Sequence, residues 1–202
     1  MKEEIEARLL EVDVNDFISK LQTNNAKFNG DFLQLRYCYD FKPIKENSWI
    51  RLRTNGKTTT LTIKEIVSKK IDGTKECEIE VSDFATTDEL LNKLGYTARS
   101  KQENRRIQYI LDGVEIDIDM WPQIPTYVEF EANSEKAIKD VCKKLGINYN
   151  SLVTLDVTSI YEKYGIDISK INILELEENR KPKQNQSNKT IKTNKIKKYK
   201  KH

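Results

Sequence analysis

Alternation of apolar and polar side chains is the dominant pattern of the chain upstream of residue 132. A period of two is typical of β-strands that bury one face. Eight strands are predicted: Glu3–Val12, Phe32–Phe41, Ser48–Thr54, Thr58–Ile66, Lys75–Val81, Arg105–Leu111, Val114–Met120 and Thr126–Glu131. Asn55-Gly56 and Asp112-Gly113 lie between consecutive predicted strands, and such pairs favour tight hairpin turns. We therefore expect mostly antiparallel pairing.

Helical periodicity appears in four shorter segments. The predicted helices are Val14–Asn24, Thr87–Leu94, Ser134–Leu145 and Val157–Tyr164. Thr87 and Ser134 are suitable N-cap residues, and a glycine directly follows each of the last three segments. Because strands outnumber helices, the predicted fold class is α+β with an antiparallel sheet.

Rare residue types exclude several chemistries. The only histidine of the 202 residues is His202, so the body of the chain cannot form a histidine-based triad or a histidine-ligated zinc site. Glycine-rich phosphate-binding loops are missing. Cys38, Cys77 and Cys142 are far apart, which favours small buried residues in a reducing compartment. Without an apolar run long enough to span a membrane, and without a secretory signal, we expect a soluble cytoplasmic protein that contacts no membrane.

The formal net charge of +3 combines two unlike parts. Arg180 to Lys201 contains ten basic residues and no acidic one, so the remaining 25 basic and 32 acidic residues give residues 1–179 a net charge of −7. We predict a folded domain over residues 1–170 and a disordered, Lys-rich tail over residues 171–202. The tail is either a contact for nucleic acid or another acidic surface, or a solvated extension.

Full charges of one sign recur at positions i and i+2 on five of the predicted strands. On a single strand, a solvated outer face explains such a pattern, but like charges on one face repel each other. A closed eight-stranded antiparallel barrel accommodates them if the charged faces point inward and helices cover the apolar faces outside. The inward set would be Glu4, Glu6, Glu78, Glu80, Asp117, Asp119, Glu129, Glu131, Arg8, Arg51, Arg53, Lys64 and Arg106.

A charged interior of this kind requires water and compensating ligands, because unpaired buried charges cost several kcal/mol each. Carboxylate oxygens suit Mg²⁺ or Mn²⁺. Arginine and lysine side chains suit the oxygens of a polyphosphate. The predicted tunnel is therefore a site for a divalent metal ion and a triphosphate-containing small molecule.

Seven short motifs follow one another in an order that resembles the CYTH family, the triphosphate tunnel metalloenzymes. They are Glu4-x-Glu6-x-Arg8, Arg51-x-Arg53, Leu61-Thr62-Ile63-Lys64, Glu78-x-Glu80, Arg106-x-x-Tyr109, Asp117-x-Asp119 and Glu129-x-Glu131. The resemblance covers about residues 3–165. The family includes class IV adenylate cyclases, thiamine triphosphatases and inorganic tripolyphosphatases.

The resemblance implies a role for each charged group. The metal ligands for Mg²⁺ or Mn²⁺ would be Glu4, Glu6, Asp117, Asp119, Glu129 and Glu131. The triphosphate would be bound by Arg8, Arg51, Arg53, Lys64 and Arg106. Glu78 and Glu80 would bind a second metal ion or position water, and together with Lys64 they are the predicted catalytic residues. Two positions depart from the family pattern, since Arg8 and Asn104 stand where the family usually has lysine.

Three functions remain open at this point. A metal-dependent triphosphatase acting on tripolyphosphate or on a nucleoside or organic triphosphate is favoured. An adenylate cyclase that forms cyclic AMP and pyrophosphate, and a non-catalytic polyphosphate- or RNA-binding module, are the alternatives. A homodimer is an option that the sequence leaves open. Trp121 is expected to shape a loop, and Tyr37 and Tyr39 to face either the tunnel or an apolar seam.

Overall fold

The computed structural model describes residues 1–177, which form a closed barrel of eight antiparallel strands with one further strand outside it. The strands are β1 Lys2–Leu9, β2 Lys27–Tyr39, β3 Ser48–Thr54, β4 Thr59–Ile66, β5 Thr74–Val81, β6 Ser100–Leu111, β7 Val114–Met120, β8 Tyr127–Ala132 and β9 Ile173–Leu174. The strand order is β2-β3-β4-β5-β1-β8-β7-β6, and pairing between β2 and β6 closes the ring. The predicted α+β class and closed antiparallel barrel are confirmed.

Four helices pack outside the barrel in the described part of the chain: α1 Val14–Thr23, α2 Phe84–Lys93, α3 Glu135–Lys144 and α4 Val157–Lys163. Short side chains cap their N-termini, as the sequence predicts for α3, where Ser134 accepts a hydrogen bond from the amide of Ala137. The predicted start of α2 at Thr87 was wrong, because the helix begins at Phe84. Asp83 caps this helix instead of Thr87, by accepting from the amide of Thr86 at 2.6 Å.

Apolar side chains on the outer face of β6, β7 and β8 form the largest core, beneath α1 and α3. Ile116 and Ile118 on β7 are fully buried against residues such as Phe17 and Ile138 of these helices. A second cluster lies between α2 and strands β2 and β3, and Tyr39 belongs to it. Tyr37 packs on Phe84, so both tyrosines lie in the apolar seam rather than in the tunnel.

Two strands are longer than the sequence indicates. β2 and β6 pair over almost their full lengths, and the predictions missed the first five residues of each. In β2 a bulge between Phe28 and Gly30 breaks the alternation. Residues 100–104 of β6 are all polar, so an alternating pattern cannot show there. β1 is shorter than predicted and ends at Leu9, and Glu11 has a positive φ of 59°, which is incompatible with a strand.

The outer face of β5 lacks helical cover in the described part of the chain. Cys77 and Ile79 are both exposed there, so the expectation that all three cysteines are buried was wrong for Cys77. Cys38 and Cys142 are buried as predicted, and all three are free thiols.

The described chain continues past the predicted domain boundary at residue 170. β9 pairs in parallel with the start of β6, and Leu174 is buried there. The rest of the predicted tail, residues 178–202, lies outside the described residues. Among residues 1–177, no helix is both long enough and apolar enough to cross a membrane.

Candidate active site

Two cavities lie inside the barrel and share part of their lining. The larger has a volume of about 290 Å³, and residues of α4 and of the turn at Ile168–Lys170 contribute to its wall. The smaller, of about 250 Å³, extends to the β3–β4 hairpin. Arg53, Glu78 and Arg106 line both cavities. The two cavities therefore adjoin each other inside the barrel, and together they are called the tunnel below.

The structure brings the predicted site residues together in this tunnel. The larger cavity is lined by ten of them: Glu4, Glu6, Arg8, Arg51, Arg53, Lys64, Glu78, Arg106, Glu129 and Glu131. Glu80 lines only the smaller cavity, where it is exposed. Asp117 and Asp119 are buried and hold the side chain of Arg106 instead of facing the open cavity.

The acidic side of the tunnel consists of Glu4 and Glu6 on β1 and of Glu129 and Glu131 on β8, two neighbouring strands. Arg8 lies within this side, and its guanidinium contacts Glu6 at 2.9 Å and Glu129 at 2.5 Å. Burial raises the pKa of a carboxyl group, but Arg8, Arg106 and Lys64 outweigh it and hold the pKa of Glu129 well below its usual range. Glu129 is therefore ionised.

Glu131 is the carboxylate of the acidic side that has no cation within 4 Å among residues 1–177, although the charge of the more distant Lys64 offsets part of its own. Burial, together with the charges of Glu129, Glu4 and Glu115, raises its pKa to about 7. A carboxylate held among like charges favours a bound cation, because a cation removes the repulsion. The acidic side is therefore short of positive charge.

The arginine side consists of Arg36 on β2 and of Arg51 and Arg53 on β3. Arg51 lies 3.3 Å from Glu78, and Arg53 lies 3.7 Å from the same carboxylate, so one acidic group serves two cations. The charge of Arg51, then burial, then the charges of Arg106 and Arg36 lower the pKa of Arg53 to about 9. The arginine side is therefore short of negative charge.

The two sides face each other across the tunnel. In the closed ring of eight strands, two strands, β4 and β5, lie between β1 and β3, and two strands, β6 and β7, lie between β8 and β2. Polar groups on the intervening strands connect the sides. Lys64 on β4 lies 2.8 Å from Glu4, and Thr62 donates a hydrogen bond of 2.6 Å to Glu78 on β5. The tunnel therefore presents carboxylates on one side and guanidinium groups on the other.

Arg106 on β6 is held by a bidentate pair with Asp119, with contacts of 2.9 Å and 2.6 Å, and by a further ion pair with Asp117. Burial alone would lower its pKa, but these two aspartates and Glu129 outweigh it and keep the pKa above the ordinary value. Its guanidinium is thus a fixed positive charge at the junction of the two cavities.

A model of the CYTH domain matches residues 3–160 of this chain, which is more than three quarters of its length. The chain belongs to the CYTH family. A comparison with curated proteins found no match.

Several solved structures share the fold of this chain. A conserved hypothetical protein from Pyrococcus furiosus is 24% identical, with a TM-score of 0.66 over 78% of this chain and 99% of its own. A candidate adenylate cyclase from Vibrio parahaemolyticus is 11% identical, with a TM-score of 0.65 over 80% and 98%. A candidate adenylyl cyclase from Hippeastrum, described as having a dominant triphosphatase activity, is 15% identical, with a TM-score of 0.53 over 81% and 96%. At these identities the likeness shows the shared fold.

Sequence reasoning missed several residues of this CYTH tunnel. The larger cavity is also lined by Arg36, Glu76 and Trp121. Trp121, which was expected only to shape a loop, packs beside that loop as well. Asn104, noted as a departure from the family pattern, is fully buried and joins Asp119 to Arg36. For Arg36, the alternation of side chains along β2 could have indicated its position. Gln34, Arg36 and Cys38 alternate with apolar residues there, as the predicted site charges do on other strands.

The carboxylates of the acidic side fit a hard divalent cation in their chemistry. CYTH tunnel enzymes generally depend on divalent metal ions, and carboxylate oxygens are the ligands that Mg²⁺ and Mn²⁺ prefer. Among the described residues no three acidic groups form a ready-made metal cluster, because Arg8 and Lys64 lie between them. The surplus negative charge at Glu131 is the feature that favours a cation.

Proposed function

We propose that this CYTH domain is a divalent-metal-dependent triphosphatase, which hydrolyses a phosphoanhydride bond of tripolyphosphate or of a nucleoside or organic triphosphate inside the tunnel. The observation that carries the proposal is the opposition of the acidic side and the arginine side around one cavity. Each side lacks the charge that a metal–triphosphate complex supplies. Phosphoryl transfer depends largely on positioning and charge neutralisation, which such a site provides.

The triphosphate is bound through Arg51 and Arg53 on the arginine side and Arg106 at the junction of the cavities. These guanidinium groups donate to phosphate oxygens in a geometry that favours bidentate contacts. Lys64, near the acidic side, neutralises charge on the leaving phosphate. Arg8 stays with its two glutamates and positions them.

Glu4, Glu6, Glu129 and Glu131 are the proposed ligands of the metal ion, which would polarise a phosphoryl oxygen. Asp117 and Asp119 were also predicted as ligands, but their contacts favour a role in holding Arg106. This division accounts for acidic residues on three adjacent strands without assigning all of them to one ion.

Glu78 is the proposed residue that orients the attacking water. Burial raises the pKa of its carboxyl group, but the hydrogen bond from Thr62 and the charges of Arg53 and Arg51 lower it to below the usual value. An ionised carboxylate beside the phosphate-binding arginines accepts a hydrogen bond from water and so directs the water oxygen toward phosphorus. Glu80, on the smaller cavity, is the second candidate for this role.

The proposal is tested by incubating the purified full chain with Mg²⁺ or Mn²⁺ and, in separate reactions, tripolyphosphate, ATP, GTP or thiamine triphosphate. We expect release of inorganic phosphate from at least one of them, and loss of that release when EDTA removes the metal. Cyclic AMP and pyrophosphate from ATP would establish the cyclase instead. Tight binding of a triphosphate without turnover would identify a binding module, and neither binding nor turnover would contradict all three functions.

A further inference from the structure

Arg36 is a buried cation of the tunnel that has no acidic partner. Its side chain lines the larger cavity, and the residue is 6% exposed. Nη2 donates to the amide oxygens of Gln34 at 2.7 Å and Asn104 at 2.6 Å. Among residues 1–177, no carboxylate lies within ion-pair distance of its guanidinium. Its hydrogen-bond partners are neutral.

The other tunnel cations differ from Arg36 in this respect. Arg8, Arg51, Arg53, Lys64 and Arg106 each have a carboxylate within 4 Å. A buried guanidinium without a counter-ion costs several kcal/mol, and neutral amides compensate this only in part. The missing counter-ion must therefore come from outside the described chain.

The charges near Arg36 increase this demand for an anion. Burial, then the positive charges of Arg51 and Arg106, outweigh the opposing charge of the more distant Asp119 and lower the pKa of Arg36 to about 10. At neutral pH the group is still protonated, so these cations repel one another unless an anion binds between them. An anion between them would be attracted by all three guanidinium groups.

The orientation of Arg36 is fixed before any ligand binds. The guanidinium lies over the ring of Trp121, 4.4 Å from its centroid, while Gln34 and Asn104 hold Nη2. The N–H groups of Nη1 have no acceptor within residues 1–177 and remain for a ligand. A preorganised donor loses little conformational entropy on binding.

We propose that Arg36 is a further phosphate-binding residue, which contacts a phosphate group of the triphosphate from the arginine side of the tunnel. This assignment rests on the proposed function. It places three arginines, two from β3 and one from β2, on that side. It also gives Asn104 a role, since its oxygen accepts from Arg36 while its amide donates to Asp119 at 3.0 Å and so links Arg36 to the aspartates that hold Arg106.

The test compares Arg36→Gln and Arg36→Lys with the wild-type full chain, in steady-state hydrolysis of tripolyphosphate with Mg²⁺ and in calorimetric binding of tripolyphosphate without metal. Arg105→Gln is the matched control, because Arg105 is the neighbouring arginine on β6 that points outward and pairs with Asp31 at 2.6 Å. We expect Arg36→Gln to raise KM and Kd about 10- to 100-fold, with kcat changed less than about threefold. Arg36→Lys should retain part of the affinity, and Arg105→Gln all of it.

A second variant distinguishes phosphate binding from a structural role. Because Asn104 on the neighbouring strand β6 contacts Arg36, the double variant with Arg36→Gln and Asn104→Lys returns a positive charge to the same place. We expect the double variant to bind tripolyphosphate at least tenfold more tightly than Arg36→Gln does. If Arg36→Gln alone does not fold, the KM and Kd of the double variant are compared with those of the wild type, and this comparison decides whether a positive charge at this place binds phosphate.

Two outcomes separate this inference from the proposed function. If the wild type binds or turns over tripolyphosphate and folded Arg36→Gln has the same KM and Kd, Arg36 is a structural residue and the inference is wrong while the proposed function stands. The same holds if Arg36→Gln lowers Tm but leaves the tripolyphosphate-induced rise in Tm unchanged. If the wild type neither binds nor hydrolyses any triphosphate, the proposed function fails and this inference fails with it.

Discussion

The acidic side and the arginine side of the tunnel compensate their charges differently. Arg8 and Lys64 neutralise much of the acidic side from within the chain, with contacts of 2.5–2.9 Å to their glutamates. On the arginine side, Arg51 and Arg53 share one carboxylate at 3.3 Å and 3.7 Å, and Arg36 has none within residues 1–177. Both sides thus lack counter-charge, but at different places: the acidic side lacks a cation beside Glu131, and the arginine side lacks an anion beside Arg36.

The largest expected effect comes from removing one charge of the acidic side. Glu6→Gln should lower kcat/KM for the triphosphate substrate by about 10³-fold or more, because a proposed metal ligand is lost while the side-chain volume is kept. Glu6 accepts from Thr74 at 3.4 Å, and glutamine retains an oxygen for that contact, so circular dichroism and Tm should show an intact fold. Glu89→Gln, exposed on α2, is the control and should leave turnover unchanged. Retained turnover in Glu6→Gln would refute the metal assignment.

A smaller effect is expected from the opposite side. Arg53→Gln should raise KM about 10- to 100-fold with a lesser change in kcat, because a phosphate contact is lost but the metal ligands remain. Steady-state kinetics measure both parameters. A variant with unchanged KM and strongly lowered kcat would instead mean that Arg53 acts in the chemical step rather than in binding.

The smallest expected effect concerns stability without ligands. Glu131 has a folded-state pKa of about 7, above the ordinary carboxyl value of 4.5, so its stabilising contribution is present at low pH and is lost as pH rises through about 7. Glu131→Gln keeps a neutral side chain and should therefore raise the unfolding free energy of the metal-free protein at pH 8 by about 1–3 kcal/mol, or roughly 3–8 °C in Tm.

The comparison of Tm at pH 8 and pH 5 checks this prediction. Near pH 5 the wild-type carboxyl group is already protonated, so the difference from Glu131→Gln should shrink. The variant should also show a smaller rise in Tm with Mg²⁺, since a proposed ligand is missing. If the wild type and Glu131→Gln have the same Tm at pH 8 as well as at pH 5, Glu131 is not held among uncompensated like charges.

The fold was largely predictable because most barrel strands have one face on an apolar core and one on a polar tunnel. On β7, Ile116 and Ile118 alternate with Asp117 and Asp119, and this pattern is visible in any single strand. Closure of the sheet was a further inference from the recurrence of like charges, which a solvated sheet does not require. The first residues of β2 and β6 were not predictable in this way, because a bulge interrupts one and the other has no apolar residue to alternate.

The charged set of the site was predictable for a similar reason, since the residues recur in pairs at i and i+2. Arg36 has no like charge at i−2 or i+2, where Gln34 and Cys38 stand, so this pattern does not mark it. Its importance depends on which partners surround it, and Asn104 comes to it from a strand 68 residues away in the chain. Such a shortage of counter-charge arises from the folded structure alone.

A crystal structure of the full chain with Mn²⁺ and imidotriphosphate, an analogue whose bridging nitrogens resist hydrolysis, tests the division of the tunnel into two sides most directly. We predict anomalous density for Mn²⁺ among Glu4, Glu6, Glu129 and Glu131, and phosphate groups in contact with Arg51 and Arg53. The analogue bound outside the barrel, or Mn²⁺ bound away from the carboxylates of β1 and β8, would contradict it.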